Sequence, residues 1–113
     1  MAIASDVLTP TWESINDTDF YLKPLSGIEF MEVAEDVKFD LNGNALISAK
    51  TCQVILNYGL QGWRNYRDPN GEEIAFSGSQ HANISRIQME DIKPVTLAIL
   101  AKSTLGVDDQ KKS

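Results

Sequence analysis

The chain has 113 residues with 10 Lys and Arg against 16 Asp and Glu, a formal net charge of −6, so it makes one domain and has the wrong sign for neutralising phosphates. With 42% hydrophobic and 23% charged residues it has enough apolar surface to build a core, which excludes wholesale disorder. One cysteine and one histidine exclude a disulfide framework and most structural zinc sites, and fit a reducing compartment.

Residues 1–19 mix Thr9, Pro10 and Thr11 with acidic and amide residues and read as an extended N-terminal arm. Met1 to Thr9 carry neither a positive n-region nor an apolar run, so no secretory signal is expected. Trp12 stands alone in this arm; its indole either packs back onto the domain or meets a partner. Phe20-Tyr21-Leu22 is a β-prone run stopped by Pro24 and is read as a strand at the start of a single globular domain, residues 20–106.

Ser26 followed three residues later by Glu29 is a capping box, so a helix begins there. Phe30, Val33, Ala34 and Val37 recur at helical spacing, and Glu29, Glu32, Glu35 and Asp36 fall on the other faces as a solvated surface. Asn42-Gly43-Asn44 interrupts the pattern. The strongest helical stretch is expected from Asn44 or Ala45 to about Gly62, with Cys52 as a buried hydrophobe on a wide apolar stripe. Gly59 or Gly62 either admits a close helix contact or ends that helix.

Asp68-Pro69-Asn70-Gly71 is a tight turn, and Trp63 and Tyr66 before it are placed to pair with Ile74 and Phe76 after it as a small hairpin. A short helical segment around Asn83 to Met89 precedes the last helix, expected from about Lys93 with Pro94 in its first turn and Gly106 at its end. That helix is apolar on nearly every side from Val95 to Ala101, so it is either enclosed by the other helices or offers surface to another chain, a second copy included. This run is far below the roughly 20 residues of a bilayer span, and no membrane partner is expected. Residues 107–113 read as a polar, flexible tail. The fold class is thus α+β and mainly helical, with three main helices and a small β-hairpin or strand pair.

The sequence offers little chemistry. His81 lies in a polar loop without a nucleophile motif. Asp68, Asn70 and Glu73 miss the spacing of a calcium loop, and no glycine-rich phosphate loop occurs. No enzyme activity, cofactor, metal or nucleic-acid partner is expected. Trp63, Tyr66 and Phe76, clustered around a turn, and Ile99 in the last helix are the candidate partner-binding residues, with a small satellite core under the turn as the competing role for the aromatic three.

The segment Gly62-Trp63-Arg64-Asn65-Tyr66-Arg67-Asp68-Pro69-Asn70-Gly71, continuing to Ile74-Ala75-Phe76-Ser77, resembles a stretch of the tail assembly chaperones of long-tailed bacteriophages. Tyr21-Leu22-Lys23-Pro24-Leu25-Ser26 with its following amphipathic helix, and the helix after Ile92-Lys93-Pro94, are similar to the same family, so the likeness runs from about Phe20 to Leu105. The resemblance implies a mainly helical, non-catalytic protein that binds the tape-measure protein and recruits tail-tube subunits in the host cytoplasm. Similar small proteins are structural virion components, such as neck, tail-completion or tail-terminator subunits, and that is the alternative reading. In the chaperone family the short product often ends near a slippery codon run, which implies a linker role for the segment after Gly106.

Overall fold

The computed structural model describes residues 9–112, with side chains described through Ser103. Its elements are β1 (Thr11–Ile15), β2 (Thr18–Leu22), α1 (Gly27–Ala34), β3 (Lys38–Phe39), β4 (Ala45–Leu46), α2 (Ala49–Gly59), β5 (Leu60–Arg64), α3 (Gln80–Arg86) and α4 (Met89–Lys112). The class is α+β as expected, with four helices where three main ones were predicted, and an antiparallel sheet in the order β1-β2-β5.

The N-terminal arm is the first correction. Residues 11–15 are extended but paired, residue by residue, with β2. Asn16 and Asp17 both take positive φ, 50° and 68°, which is the two-residue turn whose twist matches a hairpin. The first eight residues of the arm lie outside the described residues. On the other side of β2 the register slips between Tyr21 and Leu22, so that Tyr21 faces Gly62 and Leu22 faces Leu60. The extra residue, Gln61, bends the strand and lets Leu60 and Trp63, three apart in sequence, both face the core.

The capping box of α1 forms as read: Glu29 N–H donates to Ser26 Oγ at 3.3 Å and Ser26 N–H to Glu29 Oε1 at 2.9 Å. α2 begins later than expected because Ala45–Leu46 pairs with Lys38–Phe39 instead of continuing a helix. Ser48 then caps, accepting from Thr51 N–H. At its other end Gln80 Nε2, from the first turn of α3, lies 3.1, 3.1 and 2.7 Å from the carbonyl oxygens of Leu56, Asn57 and Leu60. One side chain thereby ties the start of α3 to the last turn of α2 and the start of β5.

α4 begins at Met89, four residues before the expected start, and its backbone stays helical past Gly106, the expected end, to Lys112. Pro94, expected in the first turn, is the sixth residue of α4, where it leaves one backbone hydrogen bond unmade and crowds the carbonyl four residues before it, and one glycine costs a helix about 1 kcal/mol. Ile55 and Leu56 of α2, Val33 of α1 and Val95, Ile99 and Leu100 of α4 meet Phe20 and Leu22 of the sheet in one core. α2 approaches α4 closely at Gly59, where a Cβ would stand 2.7 Å from Ile99 Cδ1 and Cγ2 and 2.9 Å from the Lys23 carbonyl oxygen. Among the described residues no helix is long and apolar enough to cross a membrane.

Candidate functional site

Two of the predicted partner-binding aromatics, Trp63 and Tyr66, are buried, and Phe76 is half-buried against them. Trp63 packs edge-on against Phe76 at 4.8 Å and Tyr66 at 5.0 Å, and Phe20 closes the cluster 5.2 Å from Tyr66. Trp63 Nε1 donates to the Ile74 carbonyl at 2.7 Å, and Ile74 N–H donates to the Tyr66 carbonyl at 2.7 Å. The expected hairpin is therefore present in its turn, with the Arg67–Glu73 bridge, while β5 itself pairs with β2. Ile99 is fully buried against Gly59. As placed, these residues are committed to packing, the role that competed with partner binding in the sequence.

Beneath the cluster, Tyr66 donates its hydroxyl proton to Asp91 Oδ2 at 2.6 Å, and Asn16 Nδ2 donates to Oδ1 at 2.7 Å. Gln88 N–H donates in turn to the Tyr66 oxygen at 2.7 Å. Burial, and then the adjacent Asp91 carboxylate, push the Tyr66 phenol above its ordinary value. This network ties the β1–β2 turn, the Tyr66 segment and the first turn of α4 together. It borders a polar concavity of about 820 Å³ that Asp17, Asn65, Asp68 and Glu90 also line. His81 is exposed on α3, away from this concavity. Among the described residues no group of three His, Cys, Asp or Glu side chains is placed to hold a metal ion.

The second concavity is of a different kind. Phe30 and Ala34 of α1, with Val37 and Phe39 just beyond it, form one wall; Leu97, Leu100 and Ala101 of α4 form the other. The groove between them holds about 580 Å³. Phe30 and Ala34, at i and i+4, share one face of α1, and Leu97, Leu100 and Ala101, at i, i+3 and i+4, share one face of α4; Val37 and Phe39 extend the first wall beyond the end of the helix. Other apolar side chains of this stretch of chain are open as well: Ile28 is 81% and Met31 74% exposed, on other faces of α1, and Phe39, Leu41 and Leu46 are exposed further along the sequence. Five of the seven exposed large hydrophobic residues among the described ones thus fall between positions 28 and 46, and such a concentration marks an interaction surface more often than chance scatter does.

The sequence placed Phe30, Val33, Ala34 and Val37 on one helical stripe; of these Val33 is buried in the core, while Phe30, Ala34 and Val37 line the groove. The available signal was Ile28 and Met31, which lie outside that stripe on the same helix and have no apolar partners in it. The outer face of the sheet carries a smaller feature: Trp12, 43% exposed, stacks on Tyr21 at 4.7 Å under the Arg64 guanidinium, which is 4.2 Å from its ring and bonded to Asp19 at 3.0 Å. Trp12 thus packs back onto the domain while keeping an open edge.

No family model, characterised protein or solved structure matches this chain.

Proposed function

We propose that this protein is an assembly chaperone for the tails of long-tailed bacteriophages, holding the tape-measure protein and recruiting tail-tube subunits without taking part in catalysis. The observation that carries the reading is the open apolar groove between α1 and α4, on a stretch of chain that also exposes Ile28 and Met31. Covering a client's apolar face there is favourable by roughly 25 cal/mol per Å² removed from water, and the groove's open form lets the client leave again. The net charge of −6 keeps a chain with such a surface dispersed. The resemblance from Phe20 to Leu105 supplies the client's identity.

The test is co-expression of the tape-measure protein with wild type and with Leu97→Asp, a change on the groove wall where the side chain is only half-buried. Wild type is expected to keep the tape-measure protein in solution and to be absent from finished particles, and the variant to lose the client. Stoichiometric copies in purified particles would instead establish the structural reading, a neck or tail-terminator subunit. Equal client solubility with both proteins would remove the groove from the account.

A further inference from the structure

We infer that Asn42, in the β3–β4 turn, is a site of spontaneous covalent modification, where the side-chain amide is displaced by the backbone nitrogen of Gly43, and that the fold protects the equivalent Asn70. The chain has two Asn-Gly pairs, Asn42-Gly43 and Asn70-Gly71. All four residues are exposed, and among the described residues neither asparagine side chain is held by a hydrogen bond. Glycine has no Cβ to shield its nitrogen from the preceding side chain. The reaction needs only water. The Gly43 nitrogen gives up its proton and attacks Asn42 Cγ; the N–Cγ bond forms, the Cγ–Nδ2 bond breaks, and the departing nitrogen takes up a proton and leaves as ammonia. Water then opens the five-membered imide at either carbonyl, which leaves aspartate or isoaspartate at position 42.

In both folded turns the attacking nitrogen is engaged: Gly43 N–H donates to the Asp40 carbonyl at 3.0 Å and Gly71 N–H to the Asp68 carbonyl at 2.9 Å. Attack therefore waits for the turn to open, and its rate follows the free energy of that local opening. Here the two turns differ. The Asp68 turn is tied down from outside: Arg67 Nη1 donates to the Gly71 carbonyl at 3.1 Å, and Gln88 Nε2, from just before α4, holds the Arg67 carbonyl at 2.7 Å. The Asp40 turn closes a ladder of only two residue pairs, Lys38 with Leu46 and Phe39 with Ala45. From Lys38 to Leu46 only Ala45 is buried, and among the described residues no hydrogen bond reaches this segment from outside it. A two-stranded hairpin with so little beneath it is marginal in water. Modification there adds one negative charge to a chain already at −6, in the turn that follows Phe39 of the groove wall.

The experiment holds the full chain at mildly alkaline pH, folded and in urea, and follows the two sites by peptide mass spectrometry, where conversion adds about 1 Da, and by enzymatic methylation of isoaspartate. Each rate is divided by that of the same site in the unfolded chain, which cancels the effect of Leu41 against Pro69 on the intrinsic chemistry. On this scale Asn42 is expected to keep at least about fivefold more of its reactivity than Asn70. Asp40→Ala, which removes the acceptor of the Asn42 and Asn44 N–H groups, should speed conversion at Asn42 by about threefold or more and leave Asn70 unchanged. Equal protection of the two sites, or stronger protection of Asn42, overturns the inference. So does a rate at Asn42 that Asp40→Ala does not move, because opening of the turn would then not be the gate.

Discussion

Two turns of the same construction bring the chain to opposite ends. Asp40-Leu41-Asn42-Gly43 and Asp68-Pro69-Asn70-Gly71 each place an Asp Oδ1 2.9 Å from two backbone N–H groups, those of Asn42 and Asn44 in one and of Asn70 and Glu72 in the other. Gly43 and Gly71 take φ of 83° and 85°, which only glycine adopts without strain. Yet Phe39, next to the first turn, is 64% exposed, and Tyr66, two residues before the second, is 1% exposed. The turn fixes where the chain reverses; what lies beneath it fixes burial. Tyr66 has the α4 carboxylate of Asp91 and the Phe20–Trp63 pair below it, whereas Phe39 stands on the rim of a groove whose two walls do not meet.

The comparison predicts that the aromatic end resists substitution and the groove end tolerates it. Ile99→Asp, which buries an unpaired charge against Gly59, should cost more than about 4 kcal/mol and leave the domain unfolded by circular dichroism. A folded variant of unchanged solution mass would remove Ile99 from the core. Tyr66→Phe takes a donor from the Asp91 carboxylate and an acceptor from the Gln88 N–H, and should lower the unfolding free energy by about 3 kcal/mol in urea melts. A loss below half a kcal/mol would show that the network does not hold this end together.

The same tyrosine gives a pH signature. Its folded-state pKa is raised, so its contribution is fully present below the unfolded value near pH 10 and falls away as pH rises beyond it. Wild type should therefore lose stability with pH more steeply than Tyr66→Phe above about pH 10. Parallel curves would contradict the assignment.

Gly59→Ala should cost about 1–3 kcal/mol, since the new methyl meets the Lys23 carbonyl oxygen as well as Ile99. Adding Ile99→Val, which removes the Cδ1 contact, should recover part of that loss, and a double-mutant cycle measures how much. The smallest expected effects are at the exposed apolar residues of the segment that carries the α1 wall. Met31→Ser and Leu41→Ser should change stability by no more than about 0.5 kcal/mol, because both side chains are already in water. A thermal shift of several degrees would mean that these side chains pack in solution and that the two regions are not different after all.

What the sequence determined by itself was local. Ser26 with Glu29 set the start of α1, the Asp68 turn was explicit in Pro69 and Gly71, and the apolar run from Val95 identified the central part of α4. Each rests on groups within a few residues, whose hydrogen bonds and periodicity carry their own instruction. Tertiary structure decided the rest. β1 is a strand because β2 supplies its hydrogen-bonding partners, and Ala45–Leu46 is a strand because β3 does. Apolar character alone also could not separate Trp63, Tyr66 and Ile99, which are enclosed, from Ile28, Met31 and Phe39, which are not. Burial depends on a second surface arriving from elsewhere in the chain: Asp91 and Phe20 bring one to Tyr66, while between α1 and α4 the chain leaves the space open.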